Sequence, residues 1–183
     1  GLGLVLLTGV AGLTSFGQAA FAGIGAYASA WLSTKAGVSP WLGLVAGLLI
    51  TLAVSSVLGW LTLRMSGHYL PLATIAWSLA PFYTMGILDS LGKYDGLLGI
   101  PAITFFGISL KEERRMFLLI WAIGLAAALA VTCLLDSRPG RIMRALNVNR
   151  GGGSTMPEAM GANTFRFKLT MFVIAALLAS VSG

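Results

Sequence analysis

The sequence contains a single histidine, His68, and a single cysteine, Cys133. One histidine excludes a histidine cluster, a Ser-His-Asp triad and a histidine-bridged metal site. One cysteine excludes an intrachain disulfide and a cysteine metal cluster, so Cys133, within an apolar run, is expected to be a small packing residue. A phosphate-binding G-x-x-x-x-G-K-[ST] loop is also missing from the sequence. These absences predict that the chain is not an enzyme and holds no metal or cofactor.

Charged residues are scarce as well, at 10% of the chain against 57% hydrophobic residues. The mean hydropathy of +0.88 is typical of a membrane protein rather than a soluble domain. The pI is near 10.0, but the bases lie at the ends of apolar runs and in short loops, where they favour orientation in a bilayer and contact with anionic headgroups. No basic face carries interleaved aromatic residues, so the expected partner is the lipid bilayer and not nucleic acid.

Long uncharged runs delimit the predicted membrane helices, because a bilayer core requires about 20 apolar residues per helix. They predict one domain over 1–183, an all-α polytopic transmembrane helical bundle of about five to six membrane helices, some of them truncated. The first helix would end near Leu13, and the others are predicted at 16–31, 41–63, 68–88, 116–135 and 169–183. Pro71 and Pro81 predict that their span is kinked or broken. Because the chain starts without Met and stops within an apolar run, both ends are expected to be incomplete.

Two polar segments separate these spans. Segment 136–168 holds six bases and two acids, and a cationic loop between apolar spans normally faces the cytoplasm. Because successive loops alternate between the two sides of the membrane, segment 89–115 and the turn 33–40 are then predicted to lie on the outer side. In 89–115 four acids and four bases flank a short run punctuated by glycine and proline, which predicts an extracytoplasmic loop with an interfacial or re-entrant piece.

Small residues recur at four-residue spacing in segment 14–27, as in the pairs Ala19 with Gly23 and Ala22 with Ala26. This spacing favours close helix packing in lipid. The same stretch contains Gln18, a polar side chain that lipid would penalise, so lining of a solute path is the alternative interpretation.

The middles of the predicted spans contain no Asp, Glu, Lys or Arg. Proton- or ion-coupled transporters usually keep an ionisable residue at membrane depth, so we expect that any driving force enters from outside the spans.

In the cytoplasmic segment, three glycines separate a basic stretch from a short helix predicted to begin at Pro157, with Glu158 in its first turn. The segment is either a solvated loop or a protruding helix that docks into another protein, with small Ala159 and Gly161 permitting close contact.

At this point the sequence resembles a known family. PEAMGANTFRFKLTMFVIAALLASVSG is similar to the E-A-x-x-x-G cytoplasmic motif of ABC importer permeases, and RPGRIMRAL resembles the arm that precedes it in permeases of the branched-chain amino acid type. GVAGLTSFGQAAFAGIGAYASA, RMSGHYLPLAT and DGLLGIP are similar to further stretches of the same permeases, in matching order. The chain departs from the pattern at Pro157 and over 147–150, which affects the predicted length of the docking helix.

The resemblance implies an importer of two permease subunits, identical or different, and two ATPase subunits in a bacterial inner membrane. A periplasmic solute-binding protein would deliver branched-chain or other hydrophobic amino acids, or related small compounds. Glu158 and Ala159, at the motif positions, and Gly161 close behind them would seat in the ATPase, which is a partner subunit or a domain fused beyond Gly183. A secondary transporter or channel for a small polar solute is the alternative. As polar groups in spans beside proline or glycine, three residues are predicted to line the translocation path: Gln18, Tyr69 and Thr74.

Overall fold

Helices form nearly all of the regular structure in the part of the chain that the computed structural model describes. That part comprises residues 1–13, 15, 17–35, 37, 39–64, 69–92, 96–97, 104–105, 108–109, 113–137, 140–141 and 164–183. The prediction of an all-α helical bundle is confirmed.

Over these residues the chain runs through six α-helices, with a π-helical stretch, a 3-10 turn and one small hairpin between them. The helices are α1 Leu2–Leu4, continued by the π-helix Val5–Val10, then α2 Gln18–Lys35, α3 Pro40–Thr62, α4 Tyr69–Ile87, α5 Glu113–Asp136 and α6 Thr164–Ser182. The shorter pieces between α4 and α5 are the 3-10 turn Asp89–Leu91 and the antiparallel strands β1 Thr104–Phe105 and β2 Ile108–Ser109.

The helix bounds follow from a few local residues. Proline lacks the N–H that a first helical turn leaves unpaired, which suits Pro40 as the first residue of α3. Helix α2 extends to Lys35, past the predicted end at residue 31, because a lysine at a helix end can place its ammonium in water. Helix α4 continues through Pro81, so the predicted span at 68–88 is not broken there.

Three of the described helices, α3, α5 and α6, are long and apolar enough to cross a membrane. Helices α2, α3 and α6 pack against one another in the centre of the bundle, with α1 against α6 and α4 against α2. In this core the rings of Phe21 and Phe172 meet edge to face, with centroids 5.7 Å apart. Met171, Ala175 and Ala176 are buried beside them. The three helices therefore form a continuous packed unit.

The two faces of helix α3 differ in the size of their side chains. Small or hydroxyl-bearing residues recur almost every four positions and are all buried: Gly43, Gly47, Thr51, Ser55, Gly59 and Thr62. The large apolar residues of the same helix face outward, among them Leu42, Leu49, Val57 and Trp60. Because lipid tails are as apolar as leucine, membrane helices associate through close backbone contact rather than by hiding large side chains. Helix α3 therefore turns its small residues toward the other helices and its large apolar residues outward, the reverse of a helix in a soluble protein.

Helix α5 differs from the other long helices because it stands largely apart from them. Among its residues only Val131 is buried, whereas Phe117, Ile120, Trp121 and Leu129 are all more than half exposed. A Cβ added at Gly124 would have no neighbouring atom within 4 Å. Since α5 directly precedes the segment 136–168, this exposed helix connects the packed unit to the predicted cytoplasmic loop.

A buried hydrogen bond ties α3 to α6. The Thr51 hydroxyl donates to the Ser180 hydroxyl oxygen at 3.0 Å, and both residues are at least nine-tenths buried. Bonds of this kind between membrane helices contribute about 0.6 kcal/mol on average and up to about 1.7 kcal/mol. The bond lies beside a close approach of α2 and α6, where Gly25 meets Ser180.

We expect Thr51→Val to reduce the free energy of unfolding by about 1 kcal/mol, because the Ser180 hydroxyl loses its buried partner. Thermal unfolding in detergent would measure the change. Ser56→Ala is the matched control, since the Ser56 hydroxyl donates only to the Leu52 carbonyl of its own helix, at 2.7 Å. Equal losses from the two variants would contradict the assigned role of the interhelical bond.

Candidate functional site

Between the π-helix and α2, the described residues follow no regular helix, and most of them are buried. Gly12 adopts a left-handed backbone with φ of +67°, and Leu13, Ser15 and Gly17 are buried. The Gly17 amide donates to the Ser15 hydroxyl at 3.4 Å. Irregular backbone at membrane depth is tolerated where protein surrounds it or where it borders a cavity. Such breaks between half-helices are also where transporters bind solutes or ions.

Gln18 is the first residue of α2 and lies directly after this break. Its side-chain oxygen lies near α1, 3.2 Å from where a Cβ on Gly3 would stand. Its amide nitrogen Nε2 is buried and has no hydrogen-bond partner among the described residues. A buried donor without a partner costs about 1–3 kcal/mol, so Gln18 is a destabilising feature of the packed bundle.

Thr74 lies at a different contact, between α4 and the start of α2. It is 2% exposed, and its hydroxyl donates to the Pro71 carbonyl at 2.9 Å. The Thr74 carbonyl oxygen lies 3.4 Å from where a Cβ on Gly17 would be. The space that Thr74 borders here holds only about 10 Å³, the size of a water molecule. Tyr69 begins α4, and its side chain lies outside the described residues.

A much larger cavity, of about 480 Å³, separates α5 from the packed unit. Cavities that hold small ligands typically measure about 300–1,000 Å³. The first half of α5 forms one wall, and the second half of α2, the start of α3 and the end of α6 form the other. The lining residues are Gly25, Ala26, Tyr27, Ser29, Ala30, Ser33, Pro40, Trp41, Leu44, Leu97, Met116, Leu119, Ile120, Ile123, Ser180, Val181 and Gly183.

The described wall of this cavity carries no charged side chain. The Ser29 hydroxyl donates to the Ala26 carbonyl at 3.0 Å, and the Ser33 hydroxyl donates to the Ser29 carbonyl. These two hydroxyls therefore use their donors within α2, while their oxygens can still accept hydrogen bonds. Gln18 and Thr74 do not line it, so two of the residues predicted for the path lie elsewhere in the bundle.

Three features were not predicted from the sequence: the Thr51–Ser180 bond, this cavity, and the α3 stripe, which is the row of buried small and hydroxyl-bearing residues on that helix. The stripe has a visible signal, because Gly43, Gly47, Thr51, Ser55 and Gly59 follow one another at a strict four-residue spacing. The bond and the cavity have no such signal in the sequence, because they depend on which helices become neighbours. The predicted docking residues Glu158, Ala159 and Gly161 lie outside the described residues.

Comparison with known proteins identifies the family. A family model described as "Branched-chain amino acid transport system / permease component" matches residues 1–183. The chain belongs to the branched-chain amino acid transport permease family. Members of this family are components of transporters rather than enzymes, and this chain is accordingly a multi-pass membrane protein. The resemblance found in the sequence motifs is confirmed.

Two curated relatives carry the name "High-affinity branched-chain amino acid transport system permease protein LivM". The relative from Salmonella typhimurium is 26% identical and that from Escherichia coli K12 is 27% identical, each over 207 aligned positions. Each alignment covers the whole of this chain and 48% of the relative, so the chain spans about half the length of the curated permeases that it matches. No solved structure matches the chain significantly.

Proposed function

We propose that this permease chain forms part of the translocation pathway of an ABC importer in the bacterial inner membrane, which carries branched-chain amino acids or related small solutes. The observation that carries the proposal is the family match over the whole chain. The largely apolar cavity beside α5 supports it, because a solute with an apolar side chain needs an apolar surface along its path.

The proposal assigns coupling to the segment between α5 and α6. Glu158, Ala159 and Gly161 would seat in an ABC ATPase, so that ATP hydrolysis in the partner moves the membrane helices. Support comes from the basic charge of segment 136–168 and from the absence of a phosphate-binding loop in this sequence. A second permease subunit and a periplasmic solute-binding protein would complete the importer.

The energy source distinguishes the proposal from a secondary transporter or channel. The full-length protein, reconstituted in vesicles with its ATPase and second permease, is expected to take up radiolabelled L-leucine only when ATP and the binding protein are present. Vesicles without ATP, but with a proton or sodium gradient, are the control. Uptake driven by either gradient alone would overturn the proposed function in favour of a secondary transporter.

Gln18 and Thr74, together with Tyr69 of α4, remain our proposed path-lining residues. The unpaired Gln18 amide supports this role, because a solute or a water that accompanies it could accept the hydrogen bond that no described residue accepts. Thr74 is tightly packed in the described conformation, so its contact with solute would require α4 to move away from α2.

We expect Gln18→Leu to raise the free energy of unfolding by about 1 kcal/mol, because it removes the buried unpaired amide. The same change should lower ATP-dependent uptake, since stability gained at a functional position commonly reduces activity. Thermal unfolding and vesicle uptake would be measured on one preparation. A less stable Gln18→Leu protein would show that the amide has a partner and would contradict this interpretation.

A further inference from the structure

We propose that Arg64, stacked on Trp60 at the end of α3, binds the phosphate of an anionic phospholipid on the cytoplasmic side of the membrane. The guanidinium carbon of Arg64 lies over the Trp60 ring, 3.7 Å from the ring centroid. Trp60 lies in the last turn of α3, Arg64 follows shortly after the helix ends, and both side chains are exposed. This lipid site is separate from the solute pathway and adds a ligand to those of the proposed function.

The two tryptophans of α3 place Arg64 at the depth of the lipid headgroups. Trp41 and Trp60 are both exposed and lie near the two ends of this uncharged helix. They are 19 positions apart, which is about 28 Å along an α-helix and close to the thickness of about 30 Å of a hydrocarbon core. Tryptophan is enriched at both membrane–water interfaces. Arg64 lies four positions beyond Trp60, about 6 Å farther out, and is therefore level with the headgroups.

The stacked guanidinium keeps its hydrogen-bonding edge available. A guanidinium stacks on an aromatic ring through its face, whereas its five N–H donors lie in its plane. Within the described part of the chain, no carboxylate pairs with Arg64, including Asp136 at the end of α5. Phosphate oxygens match the fork of N–H donors on an arginine in a bidentate pair. The Trp60 ring therefore orients a guanidinium whose edge can bind a lipid phosphate.

Further positive charge lies at the same end of the packed unit, because α3 and α6 run in opposite directions. A Cβ on Gly59, near the end of α3, would lie 2.8 Å from Cδ1 of Leu169, near the start of α6. Arg166 and Lys168 lie in the first turns of α6 and hence at the same end as Arg64. Basic residues near a membrane surface attract anionic headgroups, so these two cations favour an anionic lipid over a zwitterionic one.

Titration with phosphatidylglycerol tests this site. The full-length permease in a nonionic detergent would receive either phosphatidylglycerol or zwitterionic phosphatidylcholine, and its unfolding temperature would be measured. We expect phosphatidylglycerol to raise this temperature more, because a ligand of the folded state stabilises it. Arg64→Gln should raise the phosphatidylglycerol concentration for the half-maximal shift about fivefold, the contribution of one basic residue near a membrane surface. Trp60→Leu should change it in the same direction, because the guanidinium loses the ring that orients it.

Lys35→Gln is the matched control, because it removes one exposed positive charge from the opposite end of the packed unit. It should leave the response to phosphatidylglycerol unchanged. Inorganic phosphate at the same concentrations should produce no shift, since it lacks the acyl chains that hold a lipid beside α3. Equal shifts with the two lipids, an equal loss from Lys35→Gln, or an unchanged response of Arg64→Gln would each overturn the proposal.

Two further outcomes would assign the surface to another ligand. A shift produced by inorganic phosphate would show a site for free anions and would overturn the lipid proposal. The lipid proposal would also be overturned if Arg64→Gln weakened binding of the ATPase to the permease while the response to phosphatidylglycerol stayed the same. Failure of the lipid site would leave the proposed transport function standing, because ATP-dependent uptake is measured separately.

Discussion

Replacing Gly25 with alanine is expected to separate α2 from α6 and to destabilise the protein by about 3 kcal/mol, the upper end of the cost of overpacking. A Cβ at Gly25 would lie 2.6 Å from the Ser180 carbonyl oxygen and 2.9 Å from the Ser180 Cα. These are backbone atoms, which cannot rotate away as the end of a side chain can. The helices would have to move apart.

The destabilisation by Gly25→Ala should involve more than the contact with Ser180, because Gly25 also meets α3. A Cβ at Gly47 would lie 3.1 Å from the Gly25 carbonyl oxygen, and the Thr51–Ser180 hydrogen bond lies beside this junction. Moving α6 away would lengthen that bond and uncover buried polar groups. We therefore expect Gly25→Ala to reduce both the unfolding temperature and the yield of monodisperse protein in detergent.

Gly124→Ala provides the matched control for this prediction. Gly124 also lies within a membrane-length helix, but an added Cβ there has no neighbour within 4 Å. Alanine has the higher helix propensity, so this variant should be as stable as the unsubstituted protein or slightly more stable. Equal destabilisation by the two substitutions would show that loss of glycine, rather than the α2–α6 contact, causes the effect.

Replacing Gly161 with phenylalanine, or Glu158 with lysine, is expected to reduce ATP-dependent uptake at least about tenfold while ATP hydrolysis continues. A bulky side chain would prevent close contact between the predicted docking helix and the ATPase. A lysine in the first turn of a helix would be repelled by its positive N-terminal end. Uptake and phosphate release would be measured in the same reconstituted vesicles.

Glu113→Lys is the matched control for charge reversal, because Glu113 begins α5 at the end predicted to face outward. It should leave the ratio of solute transported to ATP hydrolysed unchanged. All three variants should insert into the membrane in normal amounts, since none adds a charge to the middle of a span. Normal uptake by both loop variants would remove the basis for coupling through Glu158 and Gly161.

The spans were largely predictable because charge and proline mark their ends. The uncharged run predicted helix 41–63, and the structure has α3 at Pro40–Thr62. The four-residue spacing of small residues in segment 14–27 likewise predicted close packing, which is confirmed at Gly25, whereas Ala19 is exposed. Helix α6 begins at Thr164, several residues before the predicted start at 169, so Arg166 and Lys168, whose charges set the predicted boundary, lie within its first turns.

The pairing of helices was not predictable from the same patterns. Gly25 meets Ser180, a residue about 150 positions later, and hydropathy is the same whichever helix is the neighbour. For this reason the cavity beside α5 has no signature in the sequence. Polarity within a span predicted path-lining residues, but the Thr51 hydroxyl bonds to a neighbouring helix and the Thr74 hydroxyl bonds to a carbonyl of its own helix. Polarity alone does not separate these two roles.

The most direct test of the account is the side of the membrane on which the predicted docking helix lies. Ala159→Cys would be introduced into the full-length protein after its other cysteines, including Cys133, are replaced by serine. A membrane-impermeant maleimide should label this cysteine in inside-out vesicles and not in right-side-out vesicles, and added ATPase should block the labelling. Labelling from the outside, or labelling that the ATPase leaves unchanged, would contradict the proposal that this permease is driven through its cytoplasmic segment.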